Sequence, residues 1–295
     1  MSHSPFIHAA ALHALWSQPP PQLVIADSRH DLTQPDWGRQ AFAQAHIPGA
    51  IFVSIDDDLS AAPNGHNGRH PLPSPEAFVR TLERLGIGND SHVVVLDQGS
   101  TMFAGRLWWM LRWLGHRSVQ VLDGGLAEWQ RQSYPLTAST NDPARPRPAT
   151  HFIPNVQHQM LRTANQTLAT LHDGQHLIID ARAPERYRGD VEPLDRVAGH
   201  IPTAVNQPFA LHQRDGLCRP ANELRAQWLA LLGDTPASAV IHQCGSGVSA
   251  CANLLAMEHA GLPGSALYAG SWSEWCSDPS RPVATASTAS GQDAP

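Results

Sequence analysis

The chain is poor in cysteine. Four occur in 295 residues (Cys218, Cys244, Cys251 and Cys276), all in the second half and none in a CxxC pair. So sparse and one-sided a set excludes a disulfide framework. Long apolar runs are also missing: none approaches the roughly 20 residues that a membrane-spanning helix needs. The first residues, MSHSPFIHAAALHALWS, lack the basic start, continuous apolar middle and small-residue cleavage site of a secretory signal. No membrane association is expected, and the expected location is cytoplasmic. Neither sign of charge is in large excess. A formal net charge of −6 gives no bulk electrostatic reason to expect a nucleic-acid partner. Seventeen histidines are present but scattered, without metal-ligand spacing beside carboxylates, so no metal site is expected.

What the sequence does contain is a repeat. LVIADSR (Leu23–Arg29) returns as LIIDAR (Leu177–Arg182), and AHIPGAIFVSID (Ala45–Asp56) as GHIPTAVNQPFA (Gly199–Ala210). HVVVLD (His92–Asp97) corresponds to SAVIHQC (Ser238–Cys244), and LDGGLAEW (Leu122–Trp129) to YAGSWSEW (Tyr268–Trp275). Four matches in one order, about 150 residues apart, indicate one fold written twice. Within each copy, short apolar strands alternate with helical patterns. PEAFVRTLERLG and NELRAQWLALLG each put apolar residues on one face and end at a glycine suited to a C-cap. Strands apolar throughout and separated by helices predict an α/β fold with mostly parallel sheets flanked by helices. The expected division is a first domain over 1–136, a proline-rich linker over 137–155, a second domain over 156–278 and a disordered tail over 279–295.

One junction in the second copy carries chemistry. In SAVIHQCGSGVSACANLLAM (Ser238–Met257) an apolar strand ends in Cys244, and a loop with Gly245 and Gly247 leads into a helix. Sites in open α/β sheets form beyond the carboxyl ends of strands. The glycines let successive N–H groups turn inward, and the helix N-terminus adds positive potential. Such a cradle favours a thiolate, and equally a persulfide anion. The competing role for Cys244 is that of a buried packing residue. Cys251, inside the predicted helix, is expected to play only that part; Cys218 and Cys276 have no glycine loop. The first copy has Asp97 where the second has Cys244, so the nucleophile is confined to one copy.

These features resemble the two-domain sulfurtransferases of the rhodanese superfamily, and within it the branch that uses 3-mercaptopyruvate. The likeness runs from about Leu23 to Trp275 through HIPGA, RLWWMLRWLGH, LDGGLAEW, DAR, RYRG, GHIP and the loop CGSGVSA. It implies tandem rhodanese-like domains with catalysis in the second. The family's loop commonly ends Gly-Val-Thr, where this chain has Gly247, Val248 and Ser249. In the thiosulfate-preferring branch the cysteine is followed by basic residues; here Gly245 and Ser246 follow. Thiosulfate is a dianion that gains from fixed cations, whereas mercaptopyruvate carries one carboxylate away from its sulfur.

The resemblance further implies a substrate-binding pair, Arg186 and Arg196, in ERYRGDVEPLDR. A planar guanidinium suits a carboxylate better than an ammonium does. The competing role for these arginines and for Arg188 is an ion pair with Glu185, Asp190 or Asp195. It also implies a Ser246–His70–Asp56 relay, with His66 as the rival histidine in the same loop. The reaction so implied passes a sulfur atom from a small-molecule donor to Cys244, then to a thiol acceptor, such as a small reductant or thioredoxin-like protein, or to cyanide. It needs no metal or organic cofactor. A thiosulfate donor and a non-catalytic sulfur carrier are the alternatives. A phosphatase of the C-x5-R type is excluded because Ala250 stands where the arginine would be.

Overall fold

The computed structural model describes residues 4–139 and 150–285. Across them the sequence repeat becomes two sheets of one topology. The first contains β1 (Phe6–Ile7), β2 (Leu23–Asp27), β3 (Ile51–Phe52), β4 (His92–Leu96) and β5 (Val119–Leu122), in the order β1-β5-β4-β2-β3. Later come β6 (Leu161–Arg162), β7 (Leu177–Asp180), β8 (Val205–Asn206), the strands β9 (Gln213–Arg214) and β10 (Leu217–Cys218) of an antiparallel hairpin, β11 (Val240–Gln243) and β12 (Ala266–Tyr268). The second sheet has the order β6-β12-β11-β7-β8. Every pairing in both five-stranded sheets is parallel.

Helices join the strands: α1 (Ala9–Ser17), α2 (Trp37–Gln44), α3 (Pro75–Arg84), α4 (Met102–Trp113) and α5 (Gly125–Arg131) in the first copy, then α6 (Ala164–Leu168), α7 (Pro184–Arg188), α8 (Ala221–Leu232), α9 (Ala250–His259) and α10 (Ser271–Trp275) in the second. Their local causes are legible. The Ser74 hydroxyl caps α3 by accepting from the Ala77 N–H, and Pro75 supplies its first turn. Phe78 and Leu82, one turn apart, are its buried face. In α8 the same face is Leu224, Trp228 and Leu232. By contrast α4 and α9 are buried nearly all round, as central helices lying on a parallel sheet must be. Ile25, Val94, Leu122 and Trp129 centre the first core; Ile178, Ile241, Tyr268 and Trp272 centre the second. No helix among the described residues is long and apolar enough to cross a membrane.

The two copies form two compact units whose sequences interleave. Among the described residues, one unit takes 4–61, 73–139, 150–158 and 213–219; the other takes 62–72, 159–212 and 220–285. A short loop of each half therefore belongs to the opposite unit, a departure from the contiguous division expected at 1–136 and 156–278. Hairpin strands β9 and β10 are built into the first unit, where the Cys218 N–H donates to Asp123 at 2.8 Å. Residues 62–72, which include His70, are built into the second. The segments read as linker and tail also contribute at their described ends. Thr137 bridges to His46, and Phe152 is buried. Ala284 bridges to His200 in the corresponding place, and Pro282 accepts from the Trp275 indole. Residues 140–149 and 286–295, the rest of those expectations, lie outside the described residues.

Candidate active site

Cys244 follows directly on β11, the strand at the centre of the second sheet. Its loop is anchored by the start of α10. The Cys244 N–H donates to Ser271 Oγ at 3.0 Å, while the N–H groups of Trp272 and Ser273 donate to the carbonyls of Cys244 and Gly245. Gly247 has φ +78, and a Cβ there would lie 2.1 Å from the Ala269 carbonyl oxygen, so only glycine fits the bend. That bend turns the Gly247 N–H onto Cys244 Sγ at 3.2 Å. The N–H groups of Gly245, Ser246, Val248 and Ser249 donate to no acceptor among the described residues. Helix α9 begins immediately after, with its positive end at the loop. All six loop residues from Cys244 to Ser249 are buried.

The corresponding loop of the first unit shows what this backbone binds. There the Asp97 carboxylate, itself buried, accepts from the N–H groups of Gly99, Thr101, Phe103 and Ala104 and from the Ser100 hydroxyl, at 2.8–3.3 Å. The first copy fills its anion cradle with its own side chain. The second copy puts a sulfur there instead.

His70 Nδ1 lies 2.8 Å from Ser246 Oγ, both groups being buried. His66, the rival histidine, is exposed. Asp56 belongs to the first unit, where its half-exposed carboxylate stands 4.0 Å from His30 Nε2. The structure therefore brings two members of the expected relay together in one unit and assigns the third to the other.

Arg186, in the middle of α7, is in an ion chain rather than free. Its Nη2 and Nε bond Glu192 at 2.6 and 3.2 Å, and Nη2 also reaches Asp195 at 3.4 Å. Asp195 in turn pairs with Arg69, and Glu192 with Arg182 at 3.4 Å. Arg182 completes the chain on Asp180 at 2.7 Å. Burial works against ionising Glu192, but the Arg186 hydrogen bond and charge outweigh it and hold the carboxyl below its usual range. Burial likewise opposes the Arg182 charge and is outweighed by Asp180, Glu192 and the Cys244 sulfur, so its guanidinium is held above the ordinary value. Arg188 pairs with Asp190 on the surface. Arg196 is exposed and lines a cavity of about 270 Å³ together with Arg69, Asp195, Ser273 and Cys276.

Sequence reasoning missed Arg69, Glu192 and Asp195 as parts of the site. The signals were at hand, since Arg69 adjoins His70 in RHPLP and both acids lie in ERYRGDVEPLDR. It also took the loop to be free of fixed cations. A methyl group on Gly245 would instead lie 3.0 Å from Arg69 Nη2 and 3.3 Å from Arg186 Nη1. The chain contains no lysine, so guanidinium is its only permanent side-chain cation. Of the other cysteines, Cys251 donates to the Gly247 carbonyl from inside α9. Burial and the nearby Asp123 push the Cys218 thiol up to about 12, and burial with Asp195 raises that of Cys276.

A duplicated parallel sheet with one cysteine loop defines a known class, and the comparisons agree. The rhodanese-like domain model matches residues 9–132 and 163–278, and the chain belongs to the rhodanese family. A probable 3-mercaptopyruvate sulfurtransferase of Pseudomonas aeruginosa is 43% identical over 288 residues, covering 97% of this chain and 99% of that protein. A putative thiosulfate sulfurtransferase of Mycobacterium tuberculosis is 40% identical over 260 residues, covering 88% and 89%. Among solved structures, that of the Escherichia coli 3-mercaptopyruvate sulfotransferase SseA matches with a TM-score of 0.78 at 33% identity, covering 92% of this chain and 99% of that one. The relatives divide between two donors, so the donor must be argued from the site.

Proposed function

We propose that the protein is a sulfurtransferase that takes sulfur from 3-mercaptopyruvate onto Cys244 and passes it to a thiol or to cyanide. One observation carries the reading: Cys244 Sγ occupies a backbone anion cradle whose counterpart in the first unit holds the Asp97 carboxylate. The Cys244 thiolate attacks the donor sulfur. An S–S bond forms, the donor's C–S bond breaks, and its electron pair leaves on carbon as the enolate of pyruvate. The proton of the donor thiol is transferred to that enolate, giving pyruvate and a Cys244 persulfide anion. An acceptor thiolate or cyanide then takes the outer sulfur and restores the thiolate. This is covalent catalysis in two half-reactions.

The remaining residues have roles in this reading. Gly245, Gly247, Val248 and Ser249 shape the loop that stabilises the sulfur anion. Arg186 binds the donor carboxylate, and Arg196 meets it in the wall of the cavity. Ser246 and His70 handle the proton that goes to the enolate. The four free cysteines suit a reducing compartment such as the cytoplasm, and a small thiol or a thioredoxin-like dithiol protein is the acceptor.

Thiosulfate is the competing donor, favoured by the Mycobacterium tuberculosis relative's name. Intact-mass measurement after incubation with each donor decides. The reading predicts a gain of one sulfur atom with 3-mercaptopyruvate, little with thiosulfate, and none in Cys244→Ser. A clear thiosulfate preference overturns the donor; no gain from either leaves a non-catalytic carrier.

A further inference from the structure

Three arginines and three carboxylates alternate beside the cysteine loop: Arg69, Asp195, Arg186, Glu192, Arg182 and Asp180. The chain ends at Arg69, a residue to which nothing above gives a role. Its guanidinium uses Nη1 for Asp195, and the Arg69 N–H is fixed to Ser273 Oγ at 2.9 Å. Arg186 likewise spends Nε and Nη2 on the acids. The nitrogens left over, Arg69 Nη2 and Arg186 Nη1, are the two that flank Gly245, and neither has an acceptor among the described residues. Two donor-bearing nitrogens thus converge next to the cysteine, aimed by the carboxylate behind them.

We infer that Arg69 and Arg186, joined by Asp195, form the inner anion-binding pair of the donor site, and that the Asp195 charge makes this pair select a monoanionic donor over a dianionic one. The inference rests on the sulfurtransferase reading of Cys244. Its electrostatic basis is a count. Asp195 and Glu192 are buried to 4% and 3% side-chain exposure, so solvent screens them weakly, and they offset the charge of Arg69 and Arg186. Hydrogen bonding to a carboxylate remains available, while the net field that would favour a second negative charge is largely cancelled. A side chain at position 245 would press on both guanidinium groups, which would have to give by a few tenths of an ångström. Arg196 lines the same cavity as Arg69 and Asp195, but it is not among the atoms nearest Gly245 and is left outside this pair.

The test compares wild type with Arg69→Gln, Arg69→Lys, Asp195→Asn and Arg196→Gln, using 3-mercaptopyruvate and thiosulfate. Arg69→Gln is expected to raise KM for 3-mercaptopyruvate about tenfold with a much smaller change in kcat, more than Arg196→Gln does, and Arg69→Lys to recover part of the loss. Asp195→Asn is expected to raise the thiosulfate to mercaptopyruvate ratio of kcat/KM about tenfold. An unchanged KM in Arg69→Gln, or equal effects of Asp195→Asn on both donors, overturns the inference. A second measurement needs neither turnover nor a folded Asp195 variant: protection of wild-type Cys244 from alkylation by pyruvate or by sulfate. Pyruvate is expected to protect at the lower concentration, and the reverse order overturns the charge selection. Failure of sulfur loading in the wild type sinks the sulfurtransferase reading instead, so the two failures are distinguishable.

Discussion

His70 Nδ1 stands 2.8 Å from Ser246 Oγ across 176 residues of chain, and both residues lie in the unit that holds Cys244. The pairing places an imidazole on the residue two positions after Cys244, where the proposed reaction would have it relay a proton through the hydroxyl. His70→Ala is expected to lower kcat for sulfur loading by about 100-fold, with KM little changed. Rapid-quench measurement of persulfide formation checks this. A loading rate like that of the wild type would remove His70 from the proton path.

Gly247 makes the bend that turns an N–H onto the sulfur. Alanine there would hold an L residue at φ +78 and overlap the Ala269 carbonyl at 2.1 Å. Gly247→Ala should cost about 1–3 kcal/mol of stability in urea unfolding and abolish sulfur loading in the fraction that folds. Retention of full loading would mean that the bend is not needed to hold the anion.

Asp97 satisfies four backbone N–H groups and one hydroxyl in the first unit. Replacing it with alanine leaves those donors buried without an acceptor, a loss of about 3 kcal/mol. The melting temperature of Asp97→Ala should fall, while the folded protein still loads sulfur on Cys244. Loss of loading at a temperature where the fold persists would contradict the division of labour between the copies.

His242, in the middle of β11, is fully enclosed. Burial lowers its pKa from 6.5 to about 3, and its Nε2 faces Met257 Sδ at 3.1 Å. Its folded-state pKa lies below the unfolded value. Stability is therefore fully present above pH 6.5 and is lost as the pH falls from 6.5 toward 3, where the unfolded chain binds a proton that the folded one refuses. The slope approaches about 1.4 kcal/mol per pH unit. Urea titrations between pH 7 and pH 4 should show it, and His242→Leu should flatten it. An equal slope in that variant would assign the acid sensitivity to other groups.

Much of the fold was legible because its causes are local. The spacing of Phe78 and Leu82 in α3, and of Leu224, Trp228 and Leu232 in α8, states which face is buried. The Cys244 loop was legible for the same reason, since strand, glycine bend and helix start are contiguous. The exchange of residues 62–72 and 213–219 between units was not, because no short-range pattern records which sheet a loop will join. Nor was the burial of Phe152, a single apolar residue in a proline-rich stretch. The cations at Gly245 were missed because they arrive from Arg69 and Arg186, remote in sequence from the loop they flank.

By itself the sequence determined that one α/β fold is repeated and that only the second copy ends its central strand in a cysteine, since apolar periodicity and glycine bends act over a few residues. Tertiary structure alone decided what surrounds that sulfur: His70 on Ser246, two guanidinium groups on Gly245, and Asp195 between those arginines. The physical reason is distance. Charges and hydrogen bonds are set by separations of a few ångströms in space, and here the residues concerned are up to 176 positions apart in the chain.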